Sequence, residues 1–600
     1  MSHVAVDGGR PSPSSTALFY LGRFWRILYA RGMALEELLS RIYGPKLGKE
    51  TLTKLLALLD ASPRGPGLRL FTAKDAFLIS YGDMIAPAKD APAESGLSRL
   101  GNFLEKWNRG AFSYLHLLPF HPYTSDDGFS VVDYGQVDGR FGSWDDIAAL
   151  GSRFKLVFDF VLNHGSVQSP WFRGFLAGDP CYEHWYTTRP KDYDYSKVVR
   201  PRTHPLLTPF TRKDGSVVHV WTTFSTDQVD YNFCSPDVLL EFVKIFLEYV
   251  QRGARIVRLD AICYLWKEDG DPCIHHPKTH AVVKLLRAVA EFLDLDVMIL
   301  TETNVPHAQN VSYFGDLDEA HMVYNFALPP LVLHTVLSAD AEPLRRWAKT
   351  LPGPEKGWIF LNYLASHDGV GLSPAKGLVE DAAFAATLEE AGKRGALVNY
   401  KGSPEGPIPY ELNCSYVSMV APVSLGADEI RARAFLATQG TLLSLAGLPA
   451  IYFHSWIGSE AWKEGPELLG YNRAINRERL PLDLLEKELE NQDSLRFRIY
   501  HGINRFLEFR QAEAAFKPQV PQRILDTRGA VFALIRGPDP VFRDRWVLCA
   551  QNLCAQASSF TVQEPGAFRG EITLEPWETR WIALGAGERR ELSTLNSVSR

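Results

Sequence analysis

Three acidic side chains lie at the ends of short apolar runs, where a carboxylate can take part in nucleophilic or acid–base chemistry. Asp260 lies near the end of RIVRLDA, Glu302 lies in ILTET, and Asp368 ends WIFLNYLASHD. A single acid in such a position is equally well explained by a salt bridge or a helix cap. Three of them, with Arg258 two residues before the first and His367 directly before the third, predict one shared catalytic mouth.

These side chains can meet if the apolar runs before them are parallel strands of one sheet. Eight such runs alternate with amphipathic helical segments, for example SPDVLLEFVKIFLEYVQRG at 235–253. This alternation predicts an α/β fold, a (β/α)8 TIM barrel whose site is built by the loops after its strands. The predicted strands are 76–82, 112–120, 154–164, 255–261, 297–303, 322–328, 358–368 and 449–458.

The rest of the chain divides around this barrel. Gly- and Pro-rich or polar stretches mark long insertions, and alternating apolar and polar residues near the end of the chain indicate antiparallel strands. The predicted parts are a flexible tail and helical extension (1–75), the catalytic barrel (76–514), an inserted subdomain after strand 3 (about 165–235), a loop excursion after strand 7 (about 370–425) and a C-terminal antiparallel β domain (515–600).

The composition excludes several classes of protein. Hydrophobic residues make up 46% and charged residues 22% of the 600, which is typical of a folded chain. A net charge of −6 without long basic runs argues against nucleic-acid binding, and the apolar stretches are too short or too interrupted to span a membrane.

The seven cysteines contain no CxxC pair, so we expect neither disulfides nor a structural metal. Free cysteines are typical of a reducing compartment, so we also expect a cytoplasmic location. Cys273, His275 and His276 lie together, but with no second cluster they do not predict a metal site.

Four blocks, DFVLNH, RIVRLDA, ILTET and ASHDG, resemble in order the signature regions of the α-amylase superfamily, glycoside hydrolase family 13. The barrel, the insertion after strand 3 and the β-sheet tail fit this resemblance. A retaining glycosidase needs one ionised and one protonated carboxyl, so the acid/base should have a raised pKa. The roles that the resemblance implies are nucleophile for Asp260, general acid/base for Glu302, transition-state stabiliser for Asp368, a cation that keeps the nucleophile ionised for Arg258, and glucose-hydroxyl binding for His164 and His367.

A narrower resemblance points to the sucrose phosphorylase branch of this family. It is carried by residues 117–147, by QVD (228–230) and by YELNCSY (410–416). It implies that an α-glucoside gives up its glucosyl unit to inorganic phosphate, forming α-glucose 1-phosphate without a cofactor. The binding residues implied are Asp126, Gln228, Tyr416 and Arg477 for the glucoside and Arg202 for phosphate, with Arg200 and Lys401 as further candidate cations.

Three features of the sequence differ from sucrose phosphorylases and bear on which acceptor the protein uses. About 75 residues precede the first strand, the acid/base segment reads LTETNVPHAQN rather than LxEVH, and the acceptor segment reads NYKGSPEGPIPYELN. These features resemble the glucosylglycerate phosphorylases of the same branch, so glucosylglycerate is expected first, with sucrose and glucosylglycerol as alternatives. A hydrolase or transglucosidase of the same fold is a remoter alternative, from which Arg202 and the acceptor segment distinguish a phosphorylase, because a hydrolase must favour water over phosphate. A noncatalytic amylase-like module is also remoter, because such modules typically lack a carboxylate and this sequence has all three. The sequence leaves the oligomeric state open.

Overall fold

The fold is described by a computed structural model of residues 32–89, 93–402, 406–538, 545–563, 568–585 and 588–595. The predicted flexible tail, residues 1–15, lies outside the described residues, as do residues 16–31 of the predicted helical extension. Within the described ranges, no helix is long and apolar enough to cross a membrane.

Eight parallel strands close into a barrel in chain order, with the last strand paired to the first. This confirms the predicted (β/α)8 barrel, and each predicted run overlaps one strand of the barrel. The strands are β1 Phe77–Ser80, β2 Tyr114–Leu117, β3 Lys155–Phe160, β4 Ala254–Leu259, β5 Met298–Thr301, β6 Met322–Tyr324, β7 Ile359–Asn362 and β8 Leu448–Tyr452.

Both faces of the barrel strands are covered, which explains their continuous apolar sequence. Every residue of β1 and of β8 is buried. The helix Pro236–Gln251, for example, begins with a proline, at a position that needs no N–H, and buries Leu239, Phe242 and Phe246. The α-helices span 32–43, Pro45–Asp60, Gly96–Trp107, Trp144–Gly151, Pro170–Ala177, Pro236–Gln251, Pro277–Phe292, His307–Asn310, Leu328–Ser338, Glu342–Thr350, Asp381–Lys393, Tyr416–Val420, Asp428–Ser444, Phe453–Trp456, Gly465–Leu469, Leu482–Glu490 and Leu495–Ala512.

Two long insertions follow β3 and β7. The first contains two antiparallel strand pairs, and the second contains a three-stranded antiparallel sheet. Insertions at this end of a barrel commonly build the active site. The pairs after β3 are His164–Ser166 with Gln228–Asp230 and Leu207–Thr211 with Val217–Trp221; the sheet after β7 has the order Val370–Gly371, Ile408–Asn413, Leu397–Lys401; a short parallel pair elsewhere joins Ile85–Ala86 to Leu480–Pro481.

The C-terminal strands form a five-stranded antiparallel sheet and a separate hairpin. The sheet packs on the helix Asp428–Ser444, where Gly440 allows a close approach: a Cβ there would lie 2.9 Å from Cγ2 of Thr579. The sheet order is Gln522–Ile524, Val531–Arg536, Trp546–Asn552, Thr579–Gly585, Glu588–Ser593, and the hairpin pairs Ser558–Gln563 with Arg569–Leu574.

The described part of the N-terminal extension packs on the flank of the barrel. The hydroxyl of Tyr43 donates to the carbonyl of Phe233 at 3.0 Å, and its ring lies 6.3 Å from that of Trp266. Lys54 reaches Asp237 at 2.8 Å. The extension therefore covers the helix that follows the first insertion.

Arg510 is a buried cation at the end of the barrel where the strands begin. Its guanidinium donates to the carbonyls of Ala73 and Asp75, before β1, at 3.0 and 3.3 Å. It also donates to those of Gly447, before β8, and Phe516, at 3.2 and 3.1 Å. Burial, together with the nearby charge of Arg536, lowers the pKa of Arg510 to about 9. One side chain thus joins both ends of the barrel seam to the C-terminal segment.

Replacing Arg510 with Lys should destabilise the fold. An ammonium cannot reach four separate carbonyls, so we expect the free energy of unfolding to fall by about 2–4 kcal/mol. Urea and thermal unfolding measure the change. Arg69→Lys is the matched control, because the Arg69 side chain is 76% exposed and should not shift the midpoint. An Arg510→Lys midpoint equal to that of the unmodified chain would contradict the assignment.

Candidate active site

A cavity opens at the carboxyl ends of the barrel strands. It lies where the loops after β2, β3, β4, β5 and β7 meet, and both insertions contribute to its wall. All three carboxylates singled out by the sequence line it. The predicted site residues in the lining are Asp126, His164, Arg202, Gln228, Arg258, Asp260, Glu302, His367 and Asp368.

Asp260, directly after β4, is held by Arg258. Nη1 of Arg258 lies 2.9 Å from Oδ1 of Asp260 and also donates to Asp159 on β3. Nε2 of His116 on β2 contacts the other oxygen of Asp159 at 2.8 Å. Because Arg258 is buried, its charge must be balanced by these carboxylates. It therefore presents a fixed positive charge to Asp260.

The backbone after Asp260 enters the left-handed region, with φ of +47° at Ala261. A residue with a Cβ adopts this conformation at a cost, and such strain is common at functional sites. The N–H of Ala261 donates to Oε2 of Glu302 at 3.0 Å. Since Glu302 directly follows β5, this bond ties the second carboxylate to the peptide that carries the first.

Asp260 and Glu302 share a low-dielectric site, so their pKa values depend on each other. Burial raises the pKa of Asp260; Arg258 opposes this rise and Glu302 adds to it. Burial also raises the pKa of Glu302, again opposed by Arg258. Two adjacent buried carboxyls do not ionise together readily, so the pair retains a proton. We assign it to Glu302, because Asp260 carries the direct ion pair with Arg258.

Asp368, in the loop after β7, lies between two guanidinium groups. Nη1 of Arg473 is 2.7 Å and Nη2 of Arg477 is 3.7 Å from Oδ1 of Asp368. Although burial works in the opposite direction, these cations hold the pKa of Asp368 below its ordinary value. The same cavity thus raises the pKa of Glu302 and lowers that of Asp368, which separates an acid from a permanent anion.

His164 and His367 both contact Phe129. The ring of His367 stacks on that of Phe129 with centroids 4.9 Å apart, and Nε2 of His164 lies 3.0 Å from its carbonyl oxygen. Burial lowers the pKa of His164 to about 4 and, together with Arg477, holds the pKa of His367 well below its ordinary value. Both imidazoles are therefore neutral near pH 7. A neutral imidazole can donate one hydrogen bond and accept another, which suits a sugar hydroxyl.

The SDDGF segment places one aspartate in the cavity and the other behind it. Asp126, Asp127 and Gly128 have φ of +51°, +47° and +115°. A Cβ at Gly128 would lie 2.7 Å from Cβ of Pro119, so this position requires glycine. Asp126 lines the cavity, whereas Arg477 lies 2.7 Å from Asp127 and 3.6 Å from Asp126.

Two predicted binding residues, Arg477 and Tyr416, lie outside the cavity lining. Arg477 is fully buried behind the wall, and its Nε donates to the carbonyl of His367 at 2.8 Å. From this position Arg477 supports Asp127 and His367 and lies within ion-pair distance of Asp126. Tyr416 is buried elsewhere, and its hydroxyl donates to the carbonyl of Pro329 at 3.1 Å.

A buried lysine anchors the first insertion. Nζ of Lys267 lies 2.7 Å from Oδ2 of Asp230 and 2.7 Å from Oδ1 of Asn163. These residues flank His164 and Gln228 on the paired strands, and Nε2 of Gln228 donates to the carbonyl of Phe129 at 3.1 Å. In the part of the chain that the structure describes, no three His, Cys, Asp or Glu side chains are grouped to hold a metal ion.

Arg202, from the first insertion, is the predicted phosphate cation that reaches the cavity. Its guanidinium lies 5.6 Å from the ring centre of Phe224 and 5.8 Å from that of Tyr410. Among the described residues, no salt bridge joins it to a carboxylate, and its Nη1 donates to the carbonyl of the neighbouring Pro201 at 3.1 Å. Arg200, over Tyr195, and Lys401 do not line the cavity.

Sequence reasoning missed Arg473, Glu411 and Asn304, which all line the cavity. Arg473 lies four residues before Arg477 in RAINR, and Asn304 lies two residues after Glu302 in TETN, so proximity to a motif was the available signal. The same signal was available for Glu411, which lies in YELNCSY, although its contacts come from remote segments. Aromatic rings complete the wall: Phe129, Phe224, Tyr264, Tyr324, Phe326, Tyr363 and Tyr410.

Residues 111–357 match the family model of the alpha amylase catalytic domain. The crystal structure of sucrose 6F-phosphate phosphorylase from Thermoanaerobacter thermosaccharolyticum superposes with a TM-score of 0.71 at 22% identity, covering 86% of this chain and 98% of that one. The likeness shows a common fold. Fold and family match together define an α-amylase-type barrel of glycoside hydrolase family 13.

Relatives with higher sequence identity define a smaller family within this class. The glucosylglycerate phosphorylase of Spirochaeta thermophila is 48% identical over 86% of this chain and 89% of its own length. The glucosylglycerate phosphorylase of Escherichia coli is 40% identical over 91% of this chain and 99% of its own length. The chain belongs to the glucosylglycerate phosphorylase family.

The paired carboxyls can cleave a glycosidic bond with retention, and their ionisation predicts a bell-shaped pH profile of kcat/KM. Activity should fall toward acid as Asp260 gains a proton and toward alkali as Glu302 loses one. With α-D-glucosyl fluoride, whose leaving group needs no proton, Glu302→Gln should largely keep the rate of this donor-cleavage step. With an unactivated glucoside, the variant should lose about 10²–10⁴ in rate. An unchanged alkaline limb in Glu302→Gln would show that another group is the acid.

Proposed function

We propose that the chain is a retaining α-glucoside phosphorylase that reversibly converts 2-O-α-D-glucosyl-D-glycerate and phosphate to α-D-glucose 1-phosphate and D-glycerate. The observation that carries the proposal is one cavity in which an ion-paired carboxylate, a second carboxyl whose pKa is raised by burial, and a cation without a carboxylate partner face the same space. The first two are the requirement of retaining glycosyl transfer. The third, Arg202, suits an anionic acceptor.

In the first half of the reaction, Asp260 attacks the anomeric carbon while Glu302 protonates the glycerate oxygen. The bond from the anomeric carbon to that oxygen breaks, and an ester to Asp260 forms. Arg258 keeps Asp260 ionised for the attack. Asp368 and the neutral imidazoles of His164 and His367 bind glucosyl hydroxyls, with the Asp368 carboxylate stabilising the charge that develops on the ring.

In the second half, phosphate replaces glycerate. A phosphate oxygen attacks the anomeric carbon, the ester to Asp260 breaks, and the proton of the incoming hydrogen phosphate passes to Glu302. Two inversions restore the α configuration, and the enzyme returns to its starting protonation state. The covalent ester makes a cofactor unnecessary for this chemistry, and none is proposed.

An anionic acceptor explains the distribution of charge around the cavity. Arg473 is compensated by Asp368 and Glu411, at 2.7 and 3.0 Å, so little of its charge is left for a ligand. Arg202 carries no such compensation. Phosphate and glycerate are both anions, so a single guanidinium serves the acceptor in either direction of the reaction.

Glycerate is preferred to fructose or glycerol as acceptor on the names of the relatives at 48% and 40% identity. The LTETN segment is consistent with this choice, because it places the amide of Asn304 in the cavity wall with its Oδ1 buried and without a partner among the described residues. We also infer that the chain acts in the cytoplasm, since all seven cysteines are free thiols.

Phosphate release from α-D-glucose 1-phosphate tests the acceptor. We expect D-glycerate to accelerate release strongly, and D-fructose and glycerol to do so weakly. Asp260→Asn should abolish release with every acceptor. Fastest release with fructose would reassign the chain to sucrose phosphorolysis, and equal release without any acceptor would indicate a hydrolase.

The role of Arg202 is tested by Arg202→Gln. Losing the uncompensated cation should raise the KM of phosphate and of glycerate by about tenfold or more, the size expected for a charge-assisted hydrogen bond. Hydrolysis of α-D-glucosyl fluoride without phosphate should continue, because water carries no charge. Arg200→Gln is the matched control and should leave both KM values unchanged, since Arg200 does not line the cavity. Equal effects of the two variants would contradict the assignment.

A further inference from the structure

Glu411 is a carboxylate in the cavity wall that the proposed reaction does not use. It lies on the strand Ile408–Asn413 of the insertion after β7, and only 1% of its surface is exposed. A carboxylate buried this deeply needs several donors to offset its lost hydration. Its partners therefore indicate what it does.

The partners of Glu411 surround Asp368. Oε1 accepts the backbone N–H of Gly369, the residue after Asp368, at 2.9 Å. The same oxygen lies 3.0 Å from Nη2 of Arg473, and Nε of Arg473 lies 3.3 Å from Oε2. Oε2 also accepts from Nδ2 of Asn399 at 3.0 Å. Glu411 thus holds the backbone next to Asp368 and the cation that binds its carboxylate.

The strand register keeps this arrangement in place. Glu411 is paired with Gly371, and its neighbour Leu412 is paired with Val370, so the strand runs directly alongside the segment that follows Asp368. A Cβ at Gly369 would lie 2.7 Å from Cγ of Glu411. Glycine at this position therefore allows the carboxylate to approach the backbone.

Glu411 holds the Arg473 guanidinium in one of two possible positions. Its Nη1 has two carboxylates within reach, Asp368 at 2.7 Å and Asp126 at 3.7 Å. Glu411 binds the other edge of the guanidinium through Nε and Nη2, so the planar group is fixed on two sides. Without Glu411, the guanidinium of Arg473 could rotate toward Asp126, and Asp368 would lose the closer of its two cations.

We propose that Glu411 is a positioning residue for Asp368, acting through Arg473 and the Gly369 N–H. The insertion that forms the acceptor side of the cavity thereby sets the geometry of the glucosyl side. The inference rests on the proposed function, in which Asp368 binds the glucosyl unit. Because the glucosyl unit is common to every acceptor, a fault at Glu411 should slow all reactions alike rather than weaken one acceptor.

The test is Glu411→Gln in the full chain. Glutamine keeps the shape, but replaces one carboxylate oxygen by an NH₂ group, which cannot accept from Arg473. We expect kcat/KM for α-D-glucosyl fluoride, measured without phosphate, to fall by about 10- to 100-fold, the size expected for a displaced catalytic group. The KM of phosphate should change by less than about threefold, as expected when uniform acceptor binding is intact.

A double-mutant cycle with Asp368→Asn separates positioning from other effects. If Glu411 acts through Asp368, the loss caused by Glu411→Gln should largely disappear in the Asp368→Asn background. Full additivity would overturn the inference, as would a wild-type glucosylation rate in Glu411→Gln or a change confined to the KM of an acceptor.

Two controls separate other failures. Glu578→Gln removes another fully buried carboxylate that pairs with an arginine, Arg580 at 2.8 Å, in the C-terminal sheet. It should lower the unfolding midpoint without changing glucosylation, and an equal loss of glucosylation in this control would assign the Glu411 effect to destabilisation. Failure of the proposed function has a different signature, since the unmodified chain would then cleave glucosyl fluoride with no dependence on phosphate or glycerate.

Discussion

The active site depends on one buried charge, the guanidinium of Arg258. It sits among the carboxyl ends of the central strands, where water cannot compensate it, so it requires Asp159 on one side and Asp260 on the other. In the observed register of β3 and β4, Asp159 lies directly opposite Arg258. This pairing is compatible with the ion pair between them and leaves Asp260 beside a permanent cation. The same charge opposes the rise in the pKa of Glu302, so Glu302 can both release and regain its proton during the reaction.

The rest of the site surrounds this core with local strain and long-range contacts. Left-handed backbone at Ala261, Asp126 and Asp127 aims an N–H and two carboxylates in directions that ordinary extended chain would not allow. The buried Lys267 joins Asp230 in the insertion after β3 to Asn163, the residue before His164. The insertion after β7 reaches back to Asp368 through Glu411. Strain and buried charge are thus tolerated here because each strained or charged group is held by several partners.

Much of the fold and part of the site could be predicted from the sequence. Barrel strands are buried on both faces, so their apolar runs stand out without any knowledge of partners. Asp260, Glu302 and Asp368 follow such runs closely, so the barrel topology alone places them at one mouth. Arg477 and Tyr416 show the limit of this reasoning: both lie in segments that resemble binding motifs, yet both are buried outside the cavity lining, where Nε of Arg477 and the hydroxyl of Tyr416 donate to backbone carbonyls.

The sequence by itself determined the barrel, the order of its insertions and the three carboxylates, because these follow from local periodicity and from position relative to a strand. The tertiary structure decided which cations face which carboxylates. Arg473 and Glu411 are 62 residues apart and meet at 3.0 Å, and Asp127 rather than Asp126 takes the closer contact with Arg477. Such pairings depend on how remote loops fold over the mouth, and a Coulomb interaction falls steeply with distance inside a protein. The distance between two such charged groups cannot be predicted from their separation along the chain.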